Sequence, residues 1–119
     1  MKRVFVAGAY SADNVIDVFK NIRVGLRAST KLFLKGYAVF SPWLDWQFLV
    51  MLREGETLTV DDYYRYSLAW LEVSDIVYVL PDSKDSAGTQ NEIKHAKKLG
   101  IPVVYYVDDI ALVLDGGPG

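Results

Sequence analysis

Three segments of this chain carry continuous apolar runs built from β-branched and aromatic residues: Arg3–Gly8 (RVFVAG), Asp75–Leu80 (DIVYVL) and Pro102–Val107 (PVVYYV). A strand with one face in water alternates polar and apolar residues, whereas a strand covered on both faces does not. The runs therefore read as buried parallel strands, with Tyr37–Phe40 (YAVF) as a shorter fourth. Helical patterns separate them. Asp13 or Asn14 can cap a helix whose apolar positions Ile16, Phe19, Ile22, Leu26, Leu32 and Phe33 recur at helical spacing, with Gly36 as its stop. Asp61 to Val73 places Tyr64, Leu68 and Leu71 on one face, Thr89 to Leu99 ends at Gly100, and Asp108 to Leu114 can form a last short helix before the Gly-Gly-Pro-Gly end. Strands alternating with helices imply a parallel sheet covered by crossover helices on both faces, in the doubly wound style.

Ligands in such sheets bind in the crevice at the carboxyl ends of the strands. Three loops meet that condition: Gly8–Asn14, Ser41–Leu58 and Pro81–Gly88. A chain of 119 residues with 51% apolar and 24% charged residues fits a single domain over 1–119 with a real core. Thirteen Lys and Arg against fifteen Asp and Glu leave no basic field for a nucleic-acid polymer. The absence of Cys excludes disulfides, thiolate metal sites and cysteine nucleophiles, and the single His95 excludes multi-histidine metal sites. Acid–base chemistry then falls to carboxylates, Tyr or Lys. No apolar stretch reaches a secretory or membrane-spanning length, so a cytoplasmic protein without membrane contact is expected.

Each loop admits a functional and a structural reading. In Gly8-Ala9-Tyr10-Ser11-Ala12-Asp13-Asn14, Gly8 permits close backbone approach and the following helix offers free N–H groups to an anion. The same residues also make an ordinary capped strand-to-helix turn. Trp43 and Trp46 flank Asp45 just past the second strand, either as an aromatic wall that stacks on a nucleobase or as an apolar cover or subunit face. In the third loop Asp85, Ser86 and Gly88 precede a helix in which Glu92 falls within the first turn. There the helix dipole favours the ionised carboxylate that a retaining glycosyl transfer uses as nucleophile. Alternatively Thr89-x-x-Glu92 is a capping box. His95, three residues beyond Glu92 among Lys94, Lys97 and Lys98, reads as part of a solvated helix face.

Taken together these residues resemble the nucleoside 2-deoxyribosyltransferase family and its nucleotide N-glycosidase relatives, closest to short members of that group. The match runs through Val6-Ala7-Gly8-Ala9-Tyr10-Ser11, Gly36-Tyr37-Ala38-Val39-Phe40-Ser41-Pro42, Ser74–Leu80, Asp85–Ala96 and Gly100-Ile101-Pro102-Val103. The resemblance implies a three-layer flavodoxin-like α/β fold, a doubly wound parallel sheet of four to five strands, acting at the N-glycosidic bond of a nucleoside or nucleotide. It places Glu92 at the nucleophile position, Ser86 at a serine that holds the sugar-phosphate, Asp85 beside an acid of the transferase branch, and Tyr10 and Ser11 in the sugar- or phosphate-contacting loop. It raises Glu92 as nucleophile above the capping box.

One position departs from the resemblance. The family places an Asp on the helix before the third strand, about eight residues ahead of that strand's leading Asp, where it handles the departing base. Here that position is Ser67, and Asp45 is the acid that could serve instead. The family also completes its sites from neighbouring subunits, which implies a homo-oligomer using Tyr63, Tyr64, Tyr66 and the segment around Asp108 and Asp109. Two functions remain open. The first is an enzyme that cleaves or transfers a (deoxy)ribosyl group through Glu92, without metal or organic cofactor. The second is a non-catalytic nucleotide-binding module built on the same pocket of Gly8, Tyr10, Ser11, Trp43, Asp45, Trp46, Asp85, Ser86 and Gly88.

Overall fold

The alternating faces of the first strand set the layering. In the computed structural model, which describes residues 1–115, β1 (Arg3–Ala7) directs Val4 and Val6 to one side of the sheet and Phe5 and Ala7 to the other. All four are fully buried. β1 lies between β2 (Ala38–Phe40) and β3 (Ile76–Val79), and β4 (Val103–Val104) joins β3, so the order is β2-β1-β3-β4 with every pairing parallel. The expected α/β sheet with helices on both faces is the fold observed, with four strands among the described residues.

Helix α1 (Val15–Leu34) connects β1 to β2 and packs with α5 (Val107–Leu114) over Val4, Val6, Ile76 and Tyr78. The chain then reverses direction across the sheet. Accordingly α3 (Val60–Leu71) and α4 (Ala87–Lys98) cover the opposite face, where Leu71, Ile93 and Ala96 meet Phe5, Ala7, Val77 and Val79. The reversal puts a switch point between the carboxyl ends of β1 and β3, where this architecture forms its crevice.

Four local expectations need correction. The run Pro102–Val107 supplies only a two-residue strand, because pairing with β3 reaches no further than Val77↔Val103 and Tyr78↔Val104 before the chain turns into α5. On α1 the buried residues are Ile22, Gly25, Ser29 and Leu32; Ile16, Phe19 and Phe33 point outward at 78%, 51% and 66% exposure. The long second loop is partly structured, as a 3-10 turn over Pro42–Asp45 followed by α2 (Trp46–Met51), whose residues are all exposed or part-exposed. Helix α4 starts two residues earlier than Thr89. Elsewhere the local signals hold: Asn14 caps α1 by accepting from the Asp17 N–H at 2.9 Å, and Gly36 adopts φ 97°, where a side chain would strain the backbone. The Gly-Gly-Pro-Gly end lies outside the described residues.

Candidate active site

Gly8 sits where β1 ends because nothing larger fits. A Cβ there would stand 2.6 Å from Leu80 Cδ1 and 3.0 Å from Trp43 Cζ2. Trp43 is itself fully buried, with its ring over Gly25 and its Nε1–H donating to the Ala9 carbonyl at 2.9 Å. The Trp43 ring therefore has no free face for a base, which corrects the stacking role expected of Trp43. Trp43 instead pins the first loop to the second. Trp46 keeps a 41% exposed side chain at the start of α2, and Ser11 is exposed on the first loop.

The pinning brings Tyr10 and Asp45 together. Tyr10 Oη donates to Asp45 Oδ1 at 2.8 Å, and the Asn21 amide holds the Tyr10 carbonyl at 3.1 Å. Asp45 is 8% exposed. Burial pushes its carboxyl above the usual range, and the Tyr10 hydrogen bond opposes that shift. Desolvation, then the bond to Asp45 and its charge, push the Tyr10 phenol well above its ordinary value, so it remains a donor at neutral pH. Asp45 thus points inward, as a replacement acid would have to.

The third loop differs from expectation in its chemistry as well as its boundary. Ser86, not Thr89, caps α4, its Oγ accepting from the Thr89 N–H at 3.2 Å. No capping box forms at Thr89 and Glu92; the capping box of this chain is Thr59 with Asp62 on α3. Starting at Ala87, α4 places Glu92 beyond its first turn, out of reach of the strongest dipole field. Glu92 is 8% exposed, and burial pushes its carboxyl up to about 8. The ionised state expected from the dipole is therefore replaced by a carboxyl held largely protonated at neutral pH. Asp85 is exposed, and Gly88 contributes its carbonyl, which accepts from Tyr64 Oη at 2.8 Å.

Helix α3 closes the site from the other side. Burial raises the Tyr64 phenol, the Asn91 hydrogen bond lowers it, and the Glu92 charge raises it again. Burial and then the Asp45 charge raise Tyr63. Tyr63 thus neighbours Asp45 and Tyr64 neighbours Gly88 and Glu92 within their own chain, while Tyr66 is 39% exposed and packs edge-on against Phe48. Ser67, one turn beyond Tyr63, is buried. The hydroxyls of Tyr63 and Thr89 are buried with no hydrogen-bond partner. Buried polar groups normally have one.

Ser83 is the residue that sequence reading missed. It is 4% exposed, and its Oγ accepts from the Ala9 N–H at 3.2 Å, joining the loops after β1 and β3 across the switch point. A lone serine in a Pro-Asp-Ser-Lys turn carries no signal of a partner 74 residues away. His95, read as part of a solvated helix face, meets Glu72 of α3 at 3.0 Å in an exposed contact. Asp108 and Asp109 open α5, which covers the other sheet face from α4. Among the described residues no group of three His, Asp or Glu side chains could hold a metal ion, and no helix is long and apolar enough to cross a membrane.

The site therefore has one nearly buried carboxyl on α4, a tyrosine–aspartate pair from the first two loops, and two tyrosines from α3. It can present a carboxylate to an electrophilic carbon and a carboxyl or phenol proton to a leaving group. No curated protein matches the chain. Among solved structures, a 2-deoxyribosyltransferase from the psychrotolerant bacterium Bacillus psychrosaccharolyticus superimposes with a TM-score of 0.60 at 21% identity, covering 86% of this chain and 70% of that one. That likeness establishes a shared fold, consistent with the flavodoxin-like expectation. Residues 2–105 match the family described as a domain of unknown function, DUF4406, and to that family this chain belongs.

Proposed function

We propose that the protein cleaves or transfers the N-glycosidic bond of a nucleoside or nucleoside monophosphate, with Glu92 as nucleophile. The observation that carries this reading is the position of Glu92, nearly buried beside Tyr64 of α3, whose neighbour Tyr63 feels the charge of the Asp45 that bonds Tyr10. In its ionised form a Glu92 oxygen attacks the anomeric carbon; the carbon–nitrogen bond breaks and its electron pair leaves with the base. The departing nitrogen takes up a proton from the hydrogen-bonded Tyr10–Asp45 pair, in which the Tyr10 phenol remains a donor at neutral pH. Water or a second base then opens the glycosyl ester, giving hydrolysis or transfer. Ser86, Asp85, Gly88, Ser11 and the Trp46 side chain are assigned to substrate binding, with Gly8 allowing the backbone to approach.

A second reading, a nucleotide-binding module without catalysis, has its own support. Ser67 occupies the place of an acid, and Glu92 holds its proton at neutral pH. A panel of nucleosides and monophosphates assayed for free base, with and without an acceptor base, separates hydrolase, transferase and binder. Base release lost in Glu92→Gln supports catalysis; binding without release from any compound establishes the module.

The assembly proposed is a homo-oligomer in the cytoplasm. Phe48, Leu49, Val50 and Met51 of α2 are 46–74% exposed, and Trp70 of α3 is 48% exposed, an apolar surface that a subunit contact would cover.

A further inference from the structure

One cleft of the molecule lies beside α4 without including Glu92. It holds about 590 Å³, within the range of roughly 300–1,000 Å³ typical of small-molecule sites. It lies at the carboxyl ends of β3 and β4, between the Pro81–Lys84 turn and the Tyr105–Val107 turn. Glu92 is turned from it toward Tyr64 of α3, whereas Gln90 and Ile93 of the same helix line the cleft.

Hydrogen bonds anchor one turn of its rim, and the formal charges on that turn balance. Ser83 anchors the first turn to the Ala9 N–H at 3.2 Å, and the Gln90 side-chain amide holds the Lys84 carbonyl at 2.9 Å. Between them Asp82 is held at φ 62°, the one described non-glycine residue in the left-handed region. A turn held this way loses little freedom when a ligand arrives. Asp82 and Lys84 carry opposite charges, so the cleft offers no net field to a polyanion. Across the cleft Tyr105 and Tyr106, directly after the last strand, are 48% and 73% exposed. Tyrosine rings stack on planar rings of many identities.

We propose that this cleft binds an uncharged planar heterocycle, a free nucleobase or a ring of that size, stacked on Tyr105 and Tyr106 and oriented by polar groups of the Asp82–Lys84 turn. The site is separate from Glu92 and does not depend on catalysis there. Adenine titrated into the full chain by calorimetry and by amide chemical shifts is the test, with ribose as a non-planar control. Wild-type protein and Glu92→Gln are expected to bind adenine equally. The paired change Tyr105→Ala and Tyr106→Ala weakens binding at least tenfold, and Phe at both positions restores it, since stacking needs the ring and not the hydroxyl. On wild-type protein, where no substitution can disturb the fold, the shifts centre on Asp82–Lys84 and Tyr105–Val107. No binding of adenine, equal binding of ribose, or shifts centred on Tyr10 and Glu92 would overturn the proposal.

Discussion

The Tyr10 hydroxyl donates to Oδ1 of Asp45 at 2.8 Å, a bond between residues 35 apart that ties the loop after β1 to the turn after β2. Tyr10→Phe leaves Asp45 buried without its donor. The expected loss is about 1–3 kcal/mol near neutral pH, the usual cost of an orphaned buried acceptor. The bond lowers the Asp45 carboxyl against the burial that raises it, so its removal lets that carboxyl rise further. Once acid protonates Asp45 in both proteins, the difference shrinks. Urea unfolding at pH 7 and below pH 4 checks this, and an equal deficit at both would contradict it.

Glu92 is expected to dominate the pH dependence of stability. Burial pushes its carboxyl in the folded chain up to about 8, above the ordinary value of 4.5. The folded chain therefore holds a proton that the unfolded chain has lost over that window, and stability falls as pH rises through it. Below it the contribution is fully present; above it the loss is complete. The slope approaches roughly 1.4 kcal/mol per pH unit. Glu92→Gln cannot ionise, so it should match wild type near pH 4 and exceed it by a few kcal/mol, on the order of the integrated slope, at pH 9. Chemical unfolding across that range provides the measurement.

The same proton governs the proposed reaction with opposite sign. A nucleophilic Glu92 must be ionised, so kcat/KM should climb about tenfold per pH unit on the acid side and level off near 8. A flat profile from pH 5 to 8 in an active preparation would remove Glu92 from the nucleophile role.

Trp43 and Gly25 form a contact that permits no extra carbon. A Cβ on Gly25 would fall 2.2 Å from Trp43 Cδ2. Gly25→Ala should cost about 1–3 kcal/mol by overpacking, and Trp43→Ala about 3–5 kcal/mol by leaving a cavity. Thermal unfolding reports both. Since the ring is fully buried, Trp43→Phe should lower Tm while leaving nucleoside affinity within about twofold of wild type below the transition.

Ser86 and Thr89 separate two accounts of how α4 starts. Ser86→Ala removes the cap and should cost about 0.5–2 kcal/mol. Thr89→Val replaces a buried hydroxyl that has no partner, and should be neutral or stabilising. A Thr89→Val variant less stable than Ser86→Ala would restore Thr89 as the cap. If Ser86 also holds a phosphate, Ser86→Ala weakens monophosphates more than nucleosides.

Much of the fold was legible because its signals are local. The unbroken runs Val4–Ala7 and Ile76–Val79 could belong only to strands covered on both faces, and Asn14 and Gly36 bracket α1 as cap and stop do. The site was legible in part, and for the same reason. Glu92 and Tyr10 were named from the loops they occupy and from a family resemblance, whereas the Ser83–Ala9 bond and the burial of Trp43 depend on segments meeting across the sheet. On α1, helical spacing alone allowed several apolar stripes; Gly25, which no hydrophobic pattern marks, decided which one faces Trp43.

By itself, then, the sequence determined an α/β chain with parallel strands, crevice loops after β1, β2 and β3, and carboxylates as the principal acid–base groups in a chain without Cys and with one His. Those properties follow from periodicity and composition, which act along the chain. Only the tertiary structure decided that Glu92 keeps its proton, that Asp45 turns inward to Tyr10, and that Trp43 is a pillar rather than a stacking face. Each is a matter of desolvation and close packing, and the water a residue loses is set by neighbours that its own stretch of sequence does not contain.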